Sequence, residues 1–426
     1  MTTGGTLIAI VGVLIAAASG GAAPEARGVD SATDAYGGTP DELLPYRQTR
    51  AYSWRFYDES PRYRGPGREE RAPAGLESVK IGLIAPIESE FDAAIGEAML
   101  HGATLAFEEA NANGGFRDSI PFELIVRNDS GLWGTTSNTL VELAYDDEVW
   151  GIVGSVDGGN THVALRVALK AEVPMVNTSC TDPTLTETAI PWILRCYPDD
   201  RQHGYRLAQL LIRERSYDRI AVLRSNDKYG RMGIAEFRDA ARRLGTPILL
   251  EVRHSPGETS FGGQLERIRK IGADAVVLWT NAVDAGRIVA EMRAAGMEQP
   301  VFGNDRLVSH EFLEVAAGAA DGIVATCPLD PTRGDADWHE FRSRFERRYE
   351  EAPDVFAVFT YDGTRLMLEA VRRAGLNRAL IRDELAAIET YEGVAGTMQF
   401  DTTHNNLGSL SLLEVRDGEF QTLVGY

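Results

Sequence analysis

The chain has 426 residues, of which 44% are hydrophobic and 25% charged, with a formal net charge of -20. That length accommodates two domains of ordinary size plus a tail, and the mix is that of a soluble globular protein. The acidity argues against a nucleic-acid partner, which needs clustered Lys and Arg, and against docking on anionic lipid headgroups.

Thr6 to Ser19 reads TLIAIVGVLIAAAS, apolar but short for a membrane span. Small residues follow at Gly20 to Ala23, which suits signal-peptidase cleavage near Ala23, so residues 1–23 are read as a signal peptide and the protein as exported to the periplasm. No Lys or Arg lies between Met1 and Leu7, which leaves a retained anchor open, and no cysteine follows to carry a lipid.

Residues 24–78 alternate Pro, Gly, Arg, Asp, Glu and Tyr without helical or strand period. So little aliphatic content predicts an extended or disordered arm. Its aromatics Tyr52, Trp54, Phe56, Tyr57 and Tyr63 interleave with Arg, which suits either a plain tether or a docking strip for a partner or for the protein's own surface.

From Val79 the pattern changes. VKIGLIA precedes a predicted helix at about Ala94 to Asn113, then FELIV, a helix near Thr135 to Tyr145, IVG, a helix from about Thr161, and PMVN. Ile95, Met99, Ala103, Ala106, Phe107 and Ala110 recur at three- and four-residue steps, one buried stripe. The strand runs are apolar throughout, as expected for parallel strands covered on both faces. The rhythm restarts with RIAVLRS and a helix from Gly230 to Leu244, ILLEVR and a helix near Phe261 to Ile271, and AVVLW and a helix near Asp284 to Ala295. VFG and GIVAT continue the set, Trp338 to Ala374 is mainly helical, and TMQF and LSLLEV close the chain. The class is α/β: two doubly wound parallel-sheet lobes with a groove between them.

Ligands of open parallel sheets sit outside the carboxyl ends of the strands, and two loops there carry chemistry. In GIVGSVDGGNTHVAL, Gly158 and Gly159 permit close backbone approach, and a helix starting near Asn160 or Thr161 can present N–H groups to an anion. In PMVNTSCTDPTLT, Ser179 and Thr181 offer hydroxyls, while Thr181 or Asp182 with Pro183 equally suits a helix start. There is no GxSxG elbow, no P-loop, no HExxH and no Cys/His cluster, so neither an enzyme nor a cofactor or metal is expected.

These loops, with VKIGLIAP, HGATLAFEEANANGGF, FELIVRNDSG, NDKYGRMGIAEF, ADAVVLWTNAVDAGRIVAEMRAAG and PVFGND in order, resemble the periplasmic leucine/isoleucine/valine-binding proteins, the type I periplasmic binding fold of ABC transporters. The likeness runs from Val79 to Tyr426. It implies a three-strand hinge, one lobe of 79–196 plus 328–396 and another of 197–327 plus 397–426, and a monomer that delivers a small polar ligand to an ABC-type permease. Carried over position by position, it implies ligand contacts from Ser179, Thr181, Tyr229 and Asp305. Gly158 stands where the family grips a carboxylate with serine, Ile95 where it has an aromatic wall, and Asn281 where it has a second tyrosine. Asp157 adds a carboxylate beside the anion site, which favours a cationic, amide or polyhydroxylated ligand if it points inward and an aliphatic amino acid if it points outward. A sensor feeding a membrane signalling protein is the alternative role. Cys196 and Cys327 fall in neighbouring hinge segments, where either a bridge or two buried thiols is conceivable.

Overall fold

The computed structural model describes residues 66–129, 133–188, 190–401 and 403–423. The expected signal peptide and arm residues 24–65 lie outside them.

The first sheet contains β1 (Val79–Ala85), β2 (Phe122–Asn128), β3 (Ile152–Gly154), β4 (Met175–Asn177) and β5 (Ile193–Arg195), all parallel, in the order β2-β1-β3-β4-β5. The second contains β6 (Ile220–Ser225), β7 (Leu250–His254), β8 (Ala275–Trp279), β9 (Val301–Gly303) and β10 (Val324–Cys327). Its parallel part repeats the order, β7-β6-β8-β9-β10. A short hairpin, β11 (Thr390–Gly393) and β12 (Gly396–Gln399), stands apart, and β13 (Ser411–Arg416) and β14 (Glu419–Thr422) extend the second sheet. These last strands run antiparallel, so the second lobe is not purely parallel as the alternation alone predicts. The chain therefore leaves the first sheet after β5, comes back after β10 to pack the helices Ala336–Tyr349 and Val355–Ala374 on the core of the first sheet, and joins the second sheet again at β13, three crossings in all.

The expected helices form within a few residues of their predicted bounds. Ala93–Ala112 buries Met99, Ala103, Ala106, Phe107 and Ala110, the predicted stripe, with Ile95 half-buried against the same core. Gly102 permits its close crossing with Val355–Ala374, because a Cβ there would lie 2.1 Å from the Ala357 carbonyl oxygen. The region 338–374 is two helices, not one. Glu350, in the left-handed conformation, ends Ala336–Tyr349, and Asp354 caps Val355–Ala374 by accepting from the Ala357 N–H. FELIV was expected to be covered on both faces, yet β2 is the sheet edge and buries only Phe122. A helix at Asp200–Ala208 went unpredicted although Asp199 and Gln202 form a capping box at its start.

Cys196 and Cys327 are separate buried thiols; the bridge is not formed. The Cys196 sulfur lies against the helix Val355–Ala374 near Gly363, whereas the Cys327 thiol takes a hydrogen bond from the Leu329 backbone.

In the same helix, the buried Asp362 carboxylate accepts from the Val394 N–H (3.0 Å) and the Ala395 N–H (2.8 Å), holding the β11–β12 turn. Burial pushes its carboxyl up to about 6, and the two backbone donors offset this only in part. A carboxyl raised in the folded state binds its proton more tightly there, so stability falls as pH rises through about 6. From pH 5 to 7.5 the folded protein should lose about 1 kcal/mol through this group, and Asp362→Asn should remove that part of the pH slope in denaturant titrations.

Candidate functional site

Both parallel sheets have the order in which chain direction reverses beside the first strand, and crevices for ligands form at that switch point. The loops after β3 and β4 face those after β6 and β9 across the boundary between the lobes. Between them is a small cavity of about 10 Å3, room for about one water molecule with the lobes in this arrangement. The first lobe contributes Val156, Gly158, Cys180, Thr181 and Asp182 to its wall, and the second contributes Asp200, Lys228, Tyr229, Met232 and Arg306.

Local chemistry sets each loop. Asp157 caps the helix Gly158–Ala171, accepting from the Asn160 N–H at 2.9 Å. Asn177 ties this loop to the next: its side-chain amide donates to the Ser155 carbonyl (2.8 Å) and its oxygen accepts from the Cys180 N–H (3.1 Å). Asp182 accepts from the Thr184 N–H and hydroxyl with one oxygen, at 2.9 and 2.6 Å. Its other oxygen lies 2.6 Å from the Lys228 ammonium and 3.4 Å from His162 Nε2. Lys228 opens the helix Lys228–Arg243 of the second lobe, so this ion pair spans the cleft. Burial pulls the Asp182 carboxyl up, but hydrogen bonds from His162, Lys228 and Thr184 prevail and hold it well below the usual range.

On the second lobe, the Arg306 guanidinium lies 3.8 Å from the centroid of the Tyr229 ring and 3.3 Å from an Asp92 oxygen of the first lobe. The Tyr229 hydroxyl accepts from the Asn304 side-chain amide. Asp305 accepts from the Tyr197 hydroxyl at 2.7 Å through one oxygen. Asp200 and Asp305 are each 1% exposed, and each has one carboxylate oxygen with no hydrogen-bond partner. Burial raises the Asp200 carboxyl well above its ordinary value, and the nearby Asp305, Asp182 and Asp199 add to this against a hydrogen bond from Thr181. Burial likewise pushes the Cys180 thiol up to about 12, so it lines the cavity as a neutral group.

The sequence matches the periplasmic binding protein family over residues 78–419. The chain belongs to that family. A Leu/Ile/Val-binding protein homologue of Brucella abortus is 25% identical over 345 residues, 80% of this chain and 91% of the relative. The branched-chain amino acid transporter substrate-binding protein of Streptococcus pneumoniae, solved with isoleucine, superposes with a TM-score of 0.76 at 25% identity, covering 81% of this chain and 99% of that one. A benzoate-bound solute-binding protein from R. palustris gives 0.75 at 19% identity, covering 81% and 95%, and shows the fold alone. The architecture is that of type I periplasmic binding proteins, two α/β lobes as expected.

In this binding protein the anticipated ligand residues divide into three groups. Gly158, Thr181 and Tyr229 line the one cavity. Ser179, Asp305 and Asp157 adjoin its wall without lining it: Ser179 is buried with its hydroxyl 3.5 Å from that of Thr178, and Asp157 is turned onto its own helix start. Asn281 and Ile95 do not line it. Asn281 caps the helix Ala282–Ala294 by accepting from the Asp284 N–H at 2.9 Å, and Ile95 packs on the first-lobe core. Gly158 itself faces Asp182, since a Cβ there would lie 2.8 Å from that carboxylate. The helix start expected to receive a ligand anion therefore meets the chain's own anion instead.

Lys228, Arg306, Asp200 and Met232 were missed, and Asp182 was considered only as a helix start. The signal for Lys228 and Arg306 was adjacency: each neighbours a residue already singled out, Tyr229 and Asp305.

Removing Lys228 would leave Asp182, only 4% exposed, without its cation while the lobes remain together, a state that costs several kcal/mol. Opening the cleft to water avoids that cost. Lys228→Met should therefore enlarge the radius of gyration measured by small-angle X-ray scattering; an unchanged value would mean the ion pair does not hold the lobes.

Proposed function

We propose that this protein is an exported solute-binding protein that captures a small polar ligand, an amino acid or a related amine or amide, between its lobes and delivers it to an ABC-type permease. It acts in the periplasm as a monomer, without turning the ligand over. The lobes are residues 79–196 with 328–396 and 197–327 with 397–426.

The observation that carries this reading is the pair of buried carboxylates, Asp200 and Asp305, each with an unpartnered oxygen beside a cavity walled by both lobes. A buried acceptor left unpaired costs about 1–3 kcal/mol, so a donor-rich ligand group relieves a penalty the protein otherwise bears. An ammonium or amide N–H supplies such donors, and Thr181 adds a hydroxyl from the opposite lobe. Contacts made from both sides favour the closed arrangement, which is how hinged binding proteins couple occupancy to shape. A shift from mostly open to mostly closed needs roughly 5 kcal/mol of differential binding, within reach of a few charge-assisted hydrogen bonds.

A thermal-shift panel of amino acids, amides, polyamines and sugars on the purified protein tests the reading. A true ligand at about 100 times its Kd should add about 2.7 kcal/mol of stability. Asp305→Asn should weaken an amine-bearing ligand by about tenfold or more, since hydrogen bonds to charged groups are worth about 1.5–3 kcal/mol. A panel in which no amine or amide moves the transition, or recovery of chemically altered ligand, counts against it.

A further inference from the structure

A second cavity, of about 320 Å3, is many times larger than the one in the cleft and lies where the chain crosses between the lobes. Each crossing contributes to its wall: Pro198 follows the first, Pro328 follows β10, and Asn406, Gly408 and Ser411 belong to the segment that joins β13. The β11–β12 turn, with Ala395 and Gly396, closes it on the side of the first lobe. Pockets that hold small molecules begin at about 300 Å3, so this one has room for a ligand that the cleft in its present arrangement lacks.

The wall is held by the protein's own bonds. The Asn406 side-chain amide donates to the Cys196 carbonyl, its oxygen accepts from the Gly408 N–H at 2.8 Å, and the Gln202 amide donates to the Gly408 carbonyl at 2.8 Å. Arg333 donates to the Val394 carbonyl at 2.9 Å through Nη1 and pairs with Asp335 at 2.5 Å through Nε. One Asp330 oxygen accepts from the Thr332 N–H and hydroxyl, at 2.9 and 2.7 Å, and from the Thr422 hydroxyl at 2.6 Å. These bonds leave capacity over on residues that line the cavity. Arg333 Nη2, the second Asp330 oxygen and the hydroxyls of Ser409 and Ser411 make no hydrogen bond among the described residues. Pro198, Pro328, Phe359 and Met398 are buried and supply an apolar part of the same wall.

The lining carries one guanidinium and one carboxylate, so it favours neither a net anion nor a net cation. Both groups are half-buried, where pairing with a zwitterion is worth little, whereas hydroxyls, guanidinium and carboxylate together both give and accept directed hydrogen bonds. We propose that this hinge cavity is a second ligand site, separate from the cleft, for a small neutral polyhydroxylated molecule, a sugar or polyol. Its hydroxyls meet Ser409, Ser411, Arg333 and Asp330, and its carbon skeleton lies on the apolar residues. An occupant that touches all three crossings favours the lobe arrangement in which these walls fit it, and by linkage a ligand in the cleft then changes the affinity of the hinge site by the same factor. The site stands whatever the cleft binds.

Isothermal titration calorimetry of the purified full chain with glucose, myo-inositol and trehalose tests this. At least one of them should give a saturable heat, and Ser409→Trp should weaken it about tenfold or more by filling the space and removing a hydroxyl. Ser409 is exposed and makes no hydrogen bond among the described residues, so the variant should match the native chain in circular dichroism and in thermal unfolding. The absence of a saturable heat with all three would overturn the proposal. So would a heat that survives in Ser409→Trp, which would put the sugar elsewhere on the protein, or an amino acid whose binding that substitution abolishes, which would make the site one for zwitterions. Amines and amides are not the probes here, so this outcome is separate from that of the thermal-shift panel.

Discussion

A carboxylate that is 4% exposed at the boundary of two lobes constrains everything around it. Asp182 must be compensated from both sides: its own loop supplies the Thr184 donors, the neighbouring helix supplies His162, and the opposite lobe supplies Lys228. The buried Arg195 fixes the backbone beneath it, donating to the Asp182 carbonyl while pairing with Asp199 at 3.0 Å and Asn405 at 2.8 Å. Asp199 caps the helix that begins the second lobe, and Asn405 lies on the segment that returns to it. One chain of charge-assisted bonds thus runs from the crossings between the lobes to the cleft. Breaking such a pair by removing one partner is costly because the survivor remains buried and charged, so lobe position and charge pairing are coupled.

The same constraint shapes the chemistry of the cleft. With Asp182 against Gly158, the start of the helix Gly158–Ala171 is already satisfied by protein anions, Asp157 from above and Asp182 beside it. The cations Lys228 and Arg306 are likewise engaged, by Asp182 and Asp92. Beside them, one carboxyl oxygen each on Asp200 and Asp305 is buried without a hydrogen-bond partner. The proposed recognition of donor groups rests on these two oxygens and departs from the serine-lined carboxylate grip that the resemblance implies for the family.

Part of this was legible in the residues alone. The alternation of apolar runs and amphipathic stretches encodes two wound sheets, and the helices fell within a few residues of expectation because three- and four-residue periodicity is a local property. Gly158 and Thr181 were legible as cavity wall because each follows a strand end, where such folds place their ligands, and Tyr229 through the position-by-position resemblance. Asn281 and Ile95 were carried over from the resemblance in the same way, yet Asn281 is spent on a helix start and Ile95 on the core, since matching a position says nothing of the rotamer or of competing local partners. The capping box of Asp199 and Gln202 was present in the sequence and went unread, although its spacing is the ordinary signature of a helix beginning.

The residues by themselves determined which faces are buried, how many sheets wind, and the family, because these depend on short-range pattern and on motifs kept in order. Only the tertiary structure decided which charges meet. Asp92 and Arg306 are 214 residues apart and Asp182 and Lys228 belong to different lobes, so their pairing rests on how the lobes meet. The edge position of β2 and the antiparallel turn of β13 and β14 were decided there too, since strand order follows from long-range pairing that no local run of side chains specifies.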